Sequence, residues 1–395
     1  MVESIPMRRA QVLSWCLYDF AGSSYSAVIA AVLFPVYYTT QVVGAQAVGE
    51  LWWGRAVSLS MLVVALSSPF MGALADTRGL RKHFLVLYTL VCVAAVASLV
   101  LLGPGDVLLG FFLIVVANIG MEGGFVFYNS FLPLIAPRGH LGRVSSWGYA
   151  LGYLGSVLSL LLALALMQRG LYRPVWPLVG LFFLVFSLPA FFLLPSAGGR
   201  AEAPVLETLK ALWQDPKSRR FLLAFFFYQD GVNTVIVFSS IFAATVLGFE
   251  AQELVALYLL VQLSALTGAM AMARAVDTWG AKKVVLLSLA LWCMVSVGAY
   301  LVKDKGAFFA LATVAGLGLG SVQAASRALF ARLIPPGTEA EHFGAYALMG
   351  KTSSVLGPWM FGWIVALAGS ARPAVLAVGG FFLLGAALLA PLKEP

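Results

Sequence analysis

Residues 72–82 read GALADTRGLRK and separate two apolar runs, each about twenty residues long, which is the length that crosses a bilayer as a helix. The loop holds one acid, Asp76, among basic residues, with Gly72 before it and Gly79 after it. Helix N-termini carry partial positive charge and attract anions. We therefore expect Asp76 to meet the start of another helix, with Gly72 permitting the close approach and Gly79 forming the turn.

Apolar runs of this kind recur along nearly the whole chain, which has 395 residues, of which 61% are hydrophobic and 11% charged. Soluble domains are about 25% charged, so this composition excludes a soluble protein. Membrane-spanning β-strands would be shorter and would alternate in polarity, so we predict an all-α membrane protein. The twelve predicted transmembrane helices lie at about 11–38, 51–75, 83–102, 107–133, 144–167, 174–194, 221–247, 252–275, 284–302, 306–333, 342–368 and 373–391.

The basic residues concentrate in alternate loops, on the side that holds the N-terminus. Because loops rich in Lys and Arg stay in the cytoplasm, this bias predicts that both termini are cytoplasmic. We expect a multi-pass protein of the cell membrane, either the inner or the plasma membrane. The net charge of +8 then reflects topology, and no nucleic-acid partner is expected.

The chain is predicted to consist of two related six-helix bundles. Asp19 and Asp230 each lie about nine residues into the first helix of their half, and residues 76–82, DTRGLRK, are echoed by residues 277–283, DTWGAKK. Such duplication is typical of transporters with a site between two repeats. The predicted domains are an N-terminal bundle at 1–194, a cytoplasmic linker at 195–220 and a C-terminal bundle at 221–395.

Within the linker, Leu206, Leu209 and Trp213 recur at helical spacing. This spacing predicts a short amphipathic helix on the inner membrane surface. A solvated tether is the alternative.

The loop at 72–82 resembles the G-x-x-x-D-x-x-G-x-[RK]-[RK] signature of the major facilitator superfamily. The resemblance implies two pseudo-symmetric bundles that rock around a central site, and a cytoplasmic gate formed where Asp76 meets the eleventh helix. The gate residues that the resemblance implies, including their counterparts in the second half, are Gly72, Asp76, Arg78, Gly79, Arg81, Lys82, Asp277, Gly280 and Lys282.

A narrower resemblance extends over most of the chain. It is similar to the vacuolar amino-acid effluxer family of autophagy-related permeases and to the prokaryotic relatives of that family, which implies export of amino acids. The segments that carry it are SWCLYDFA at 14–21, FYNSFLP at 127–133, RVSS at 143–146, YQDGV at 228–232 and QAASR at 323–327. The short loops favour a prokaryotic member.

Five charged residues lie deep within predicted spans: Asp19, Glu122, Asp230, Arg327 and Lys351. A charge in hydrocarbon costs about 2.5–3.5 kcal/mol on insertion scales, so these residues should face a protein interior or a wet cavity. We expect all five to converge on one central chamber. The polar and aromatic residues predicted to line the same pathway are Asn118, Asn129, Gln229, Asn233, Gln323, Tyr18, Tyr128 and Tyr228.

This set of charges suits a proton-coupled transporter of a zwitterion. Carboxylic acids in low-dielectric surroundings take up protons more readily than in water. We expect Glu122, or otherwise Asp19 or Asp230, to carry the coupled proton. The acids would also bind a substrate ammonium, while Arg327 and Lys351 would bind its carboxylate. A small peptide or a charged drug would fit the same groups.

The predicted function is therefore secondary active transport of a small polar organic solute, with an amino acid as a candidate and export as the direction. The alternatives are an uncoupled facilitator, a drug or peptide exporter of the same fold, and a non-transporting receptor or scaffold. The sequence GLGLG at 316–320 lies within a span, so it predicts close helix packing rather than dinucleotide binding. We expect no enzyme activity, no metal and no cofactor, and a monomer in the lipid bilayer.

Overall fold

A computed structural model describes residues 8–196, 199, 205–354 and 356–394. Over these ranges the chain is helical, with short π-helical and 3-10 segments and no β-strand. Within the described ranges, ten unbroken helices are long and apolar enough to cross a membrane. The α-helices, in chain order, are α1 (Arg9–Ser24), α2 (Phe34–Tyr37), α3 (Gln46–Arg78), α4 (Arg81–Ser98), α5 (Val107–Ser130), α6 (Leu132–Ile135), α7 (Leu141–Met167), α8 (Val175–Leu193), α9 (Val205–Gln214), α10 (Pro216–Leu247), α11 (Ala251–Thr278), α12 (Ala281–Leu301), α13 (Lys305–Leu333), α14 (Glu339–Thr352), α15 (Leu356–Ala368) and α16 (Ala371–Leu389).

The chain divides into two compact units. Unit 1 consists of Met1–Pro137, Leu151–Val205 and Pro335–Leu348. Unit 2 consists of Arg138–Ala150, Leu206–Ile334 and Met349–Pro395. Two helices change unit along their length: α7 begins in unit 2 and continues in unit 1, and α14 begins in unit 1 and ends in unit 2.

The first predicted span is a bent helix rather than a straight one. Residues Tyr25–Val32 and Tyr38–Val42 are π-helical, and the segments Arg9–Val32 and Phe34–Val42 meet at 41°. Pro35 follows the bend directly, and proline lacks the N–H that would continue the helical hydrogen bonds. Taken as one span, this pair brings the number of membrane-crossing helices to eleven.

The span predicted at 342–368 is two helices: α14 ends at Thr352 and α15 begins at Leu356. The prediction treated it as continuous. Pro358 explains the break, because a proline ring clashes with the carbonyl four residues earlier, which here belongs to Ser354. The same proline is well tolerated in the first turn of α15, where no N–H donor is needed.

Glycines bring neighbouring helices into backbone contact. On α13, Gly320 lies so close to α11 that a Cβ there would be 1.9 Å from the Ala265 carbonyl oxygen. On α11, Gly268 lies equally close to α13, where a Cβ would be 2.2 Å from the Leu317 oxygen. Small residues at helix interfaces are typical of membrane bundles. The predicted packing role of the GLGLG segment is confirmed.

Part of the predicted linker is a helix. α9 covers the stretch that contains Leu206, Leu209 and Trp213, and Trp213 is half-exposed while Leu212 is buried. The side chains of Leu206 and Leu209 lie outside the described residues, as do residues 197, 198 and 200–204 of the linker.

Candidate transport site and its helix-terminal contacts

Asp76 caps the start of α14 within unit 1. Its carboxylate accepts hydrogen bonds from the backbone N–H groups of Ala340, at 3.2 Å, and Glu341, at 3.0 Å. Asp76 is buried, and one turn earlier Gly72 lies against the same helix, where a Cβ would be 2.3 Å from the Ala340 carbonyl oxygen. The geometry is that of an anion at the positive end of a helix.

Arg81 joins this contact from the start of α4. Its guanidinium pairs with Asp76 at 2.5 Å and with Glu339 at 2.5 Å, and all three side chains are buried. Glu339, in the first turn of α14, was missed by the sequence analysis, although Glu339 and Glu341 are the acids that helix starts favour. Gly79 ends α3 with φ of 68°, and Arg78 is exposed.

The same arrangement is repeated in unit 2. The Asp277 carboxylate accepts from the N–H groups of Gly142, at 2.7 Å, and Arg143, at 3.1 Å, which lie in the first turn of α7. Gly280 precedes α12 with φ of 100°. Residues 76–82 and 277–283 are therefore similar both in sequence and in their hydrogen bonds, since the acid of each segment caps a helix start. Each capped helix has its later residues in the other unit.

Lysines extend this repeat to the last helix of each half. Lys82 donates to the carbonyl oxygens of Phe192, at 3.1 Å, and Leu194, at 3.0 Å, at the end of α8. Lys282 donates to the oxygens of Ala390, at 3.0 Å, and Leu392, at 2.8 Å, at the end of α16. Each lysine thereby satisfies carbonyl groups that a helix end leaves without a partner.

Glu394 is a second residue that the sequence analysis missed. Its carboxylate accepts from the N–H groups of Ala281, at 2.9 Å, and Lys282, at 3.1 Å, at the start of α12, and it pairs with Arg332. Arg332 also reaches Asp277 at 3.4 Å. Glu394 is thus linked through Arg332 to the acid that caps α7.

In unit 1, Asp19 lies beside a stack of aromatic rings. The Tyr128 hydroxyl donates to its carboxylate at 2.9 Å, and the Tyr128 ring stacks between those of Trp15 and Tyr18, with centroids 4.5 Å and 5.1 Å apart. On α7, Gly152 lies against the acid, where a Cβ would be 2.9 Å from Oδ1. Tyr18 and Tyr128, which were predicted to line the pathway, are buried and pack against each other around Asp19.

Glu122 lies on α5, one turn from Asn118. The Tyr25 hydroxyl, at the start of the first π-helical segment, donates to the Asn118 side-chain oxygen at 2.7 Å. The Asn118 amide nitrogen is buried and has no hydrogen-bond partner among the described residues. Glu122 and Asn129 are partly exposed. Tyr25 was not predicted as a site residue.

In unit 2, Arg327 is bound to the start of α7. Its Nε donates to the Ser145 hydroxyl at 2.9 Å, a terminal nitrogen donates to the Ser145 carbonyl at 2.7 Å, and the guanidinium lies 4.0 Å from the centre of the Tyr149 ring. Arg327 is 1% exposed. Beside it, Tyr228 and Ser326 share a hydrogen bond of 2.7 Å, and Gln323 is partly exposed.

The break between α14 and α15 is held by α10. Both oxygens of the Asp230 carboxylate accept from the Gly357 N–H, at 3.0 Å and 2.9 Å. One turn further, Asn233 accepts from Gln229 at 2.9 Å and donates to the Ser354 hydroxyl at 2.8 Å. α10 therefore contacts Ser354, which follows α14, and Gly357, in the first turn of α15. Lys351 lies partly exposed in the last turn of α14.

The five predicted membrane charges divide between the units. Asp19 and Glu122 belong to unit 1, and Asp230, Arg327 and Lys351 belong to unit 2. Their convergence on one chamber stays a prediction. The described residues contain no cluster of three or more potential metal ligands.

Comparison with known proteins agrees with this architecture. The model of a family described as "Vacuole effluxer Atg22 like" matches residues 55–394. The MFS-type transporter YxiO of Bacillus subtilis is 29% identical over 96% of this chain and 94% of its own length. Autophagy-related protein 22-1 of Emericella nidulans is 26% identical over 80% of this chain and 71% of its own length.

Solved structures share the fold. The crystal structure of the human organic anion transporter MFSD10 superposes with a TM-score of 0.79, at 18% identity, and covers 97% of this chain and 99% of that one. At this level of identity the likeness shows the fold alone. It confirms the major facilitator architecture that the loop at 72–82 predicted.

Proposed function

Because the chain belongs to the Atg22-like vacuole effluxer family, we propose that it exports a small polar organic solute, an amino acid in the first place, by proton-coupled alternating access. The chain is a multi-pass transporter of the major facilitator superfamily and not an enzyme. Transporters of this fold bind small-molecule substrates within the membrane. The effluxer description of the family supports export as the direction.

The observation that carries proton coupling is the burial of carboxylates in membrane helices. Asp19 is 3% exposed and Asp230 is 0% exposed, and both lie in segments that are long and apolar enough to cross a membrane. Acids in such surroundings are costly and are typical of proton and substrate pathways. This burial supports Asp19 and Asp230, whereas Glu122 on α5, which is partly exposed, remains our first candidate for the driving proton because of its depth in the sequence of its span.

The observation that supports alternating access is the pair of capped helices. Asp76 holds the start of α14 and Asp277 holds the start of α7, and each of these helices continues into the other unit. A cap made by one side chain is worth about 1 kcal/mol, so it can break and re-form during a transport cycle. We propose that the two caps, with Arg81, Lys82 and their unit 2 counterparts, form the cytoplasmic gate.

Flux into reconstituted vesicles tests the function. Purified protein should move radiolabelled amino acids when a pH gradient is imposed, and a protonophore should abolish this movement. Glu122→Gln should lose the response to the gradient, whereas Glu207→Gln, which changes an exposed acid on α9, should keep it. Flux that ignores the protonophore would indicate an uncoupled facilitator, and no flux with any solute tested would favour a receptor or scaffold.

Topology and assembly are separate proposals. The basic loops support cytoplasmic termini and residence in the cell membrane, and we propose that the transporter acts as a monomer. A reporter fused to the C-terminus, active only in the cytoplasm, tests the orientation. The mass of the detergent-solubilised protein, measured by light scattering, tests the oligomeric state.

A further inference from the structure

Asp230 differs from its counterpart Asp19 in what it binds. The two acids occupy equivalent places in the two halves, yet Asp19 receives a tyrosine hydroxyl beside the unbroken α7, whereas Asp230 receives a backbone N–H at the start of α15. The break in the membrane helix thus belongs to the second half, and the Asp230 carboxylate lies where a half-helix attracts an anion.

A buried hydroxyl points to the same place. Thr234, one turn from Asp230 on α10, is fully buried, and its oxygen has no hydrogen-bond partner among the described residues. That oxygen lies 1.9 Å from where a Cβ on residue 357 would be, so only glycine fits there. A buried hydroxyl without a partner is costly and rare. The same Cβ would lie 2.7 Å from the Asp230 Oδ1, so the Thr234 hydroxyl and the Gly357 N–H are two donors beside one carboxylate. We take this place as one point of anion binding.

We propose that this point is a binding site for the carboxylate of the substrate, and that Asp230 occupies it as an internal anion until Asp230 is protonated. The proposal rests on the transport function proposed above and deepens it, because it assigns the anionic group of the substrate to unit 2. While ionised, Asp230 engages the Gly357 N–H and repels a second anion. Once protonated, it accepts weakly, and the substrate carboxylate binds Gly357 and Thr234. One proton is taken up for each carboxylate bound.

This role differs from the prediction that Asp230 binds a substrate ammonium. It also differs from the prediction that Arg327 binds the substrate carboxylate, because the Arg327 guanidinium binds Ser145. α10 itself also carries Lys217, Arg219, Arg220 and Tyr228, and Lys351 lies in the last turn of α14. Among the elements packed against α10, α15 has no titratable or charged group, and the others carry Glu253, Tyr258, Arg274 and Asp277 on α11, Lys305, Arg327 and Arg332 on α13, and Arg372 on α16.

Acetate and its neutral analogue acetamide serve as probes, measured by thermal shift of the purified full-length protein at about pH 6 and about pH 8. Acetate should raise the unfolding temperature more at the lower pH, and acetamide should not raise it. Asp230→Asn, which cannot ionise, should bind acetate equally at both pH values. Glu207→Gln on α9 is the control for surface charge and should behave as the wild type.

Thr234→Val provides the second test and keeps the side-chain volume. It should leave the unliganded protein as stable as the wild type or more so, because it removes an unsatisfied hydroxyl, and it should weaken acetate binding by about tenfold or more. A purely structural threonine would not give this combination. If Asp230→Asn does not fold, the comparison of Thr234→Val with the wild type tests the proposal by itself.

The proposal is overturned if acetamide binds like acetate, if Asp230→Asn keeps the pH dependence, or if Thr234→Val binds acetate with wild-type affinity. These results are independent of amino-acid flux. Acetate binding that follows the expected pattern without flux would refute the proposed transport function alone. Proton-driven flux with no acetate binding would refute this inference alone.

Discussion

Asp76 and Asp277 stand in the same relation to a helix: each carboxylate accepts hydrogen bonds from two consecutive backbone N–H groups at its start. The acids lie in equivalent loops of the two halves, and the helices that they cap, α14 and α7, are equivalent too. The two halves thus share an interaction between distant segments of sequence. Each of the similar stretches DTRGLRK and DTWGAKK supplies the acid for one of these contacts.

Removing either cap charge should have similar consequences. We expect Asp76→Asn and Asp277→Asn each to lower the free energy of unfolding by about 0.3–1 kcal/mol, because the amide keeps the hydrogen-bonding oxygen but lacks the negative charge that the helix terminus attracts. Denaturation in detergent, followed by circular dichroism, measures this change. Asp304→Asn is the matched comparison, since Asp304 also caps a helix, α13, but in an exposed turn, where water screens the charge and the loss should be smaller. Unchanged stability in both variants would contradict the capping role.

Replacing Arg81 should be more damaging than replacing either cap. Arg81→Gln leaves Asp76 and Glu339 buried without their cation, and breaking a buried pair costs about 3–5 kcal/mol. Arg78→Gln, in the same loop but exposed, should change stability by less than about 0.5 kcal/mol. A double variant, Arg81→Gln with Glu339→Gln, should recover part of the loss. Equal effects of the two single arginine variants would refute the assignment.

The fold and the contact between Asp76 and a helix start followed from the sequence because both depend on local patterns. The length of each apolar run predicts a membrane-spanning helix. The glycines and the acid of residues 72–82 predicted that the start of another helix lies against Asp76. The partner Glu339 did not follow, because an ion pair between residues 258 positions apart leaves no local pattern. Glu394 was missed for the same reason.

The break between α14 and α15 is marked in the sequence by a proline, but hydropathy alone does not show it. Residues 342–368 are apolar enough to read as one helix, and Pro358 alone marks the interruption. In the sequence, Asp230 is an isolated charge in a membrane span. Its partner is the Gly357 N–H, which can bind a side chain because a new helix begins at that point. The sequence therefore showed the buried charge but not its main-chain partner, and the predicted role of Asp230 in the substrate pathway stays a prediction.

Close helix packing on α13 predicts a steric effect without any change of charge. Gly320→Ala places a Cβ 1.9 Å from the Ala265 carbonyl oxygen, so α11 and α13 must separate. We expect a loss of about 1–3 kcal/mol in the free energy of unfolding, as for overpacked cores. Gly380→Ala on α16, where a Cβ meets nothing within 4 Å, should be neutral or stabilising. A tolerated Gly320→Ala would show that the helices are further apart than described.

Arg327 offers a direct test between a structural and a substrate-binding role. Its guanidinium binds Ser145 through two nitrogens and stacks on Tyr149, and a lysine can reproduce neither contact. We expect Arg327→Lys to lower the unfolding temperature, and Ser145→Ala to lower it less, because Ser145→Ala leaves the carbonyl bond and the stacking in place. Flux measured at saturating and at limiting solute separates the roles. A structural residue changes the amount of folded protein, so the solute concentration at half-maximal flux stays constant. If that concentration rises in Arg327→Lys while the unfolding temperature is unchanged, Arg327 binds the substrate, as the sequence analysis predicted.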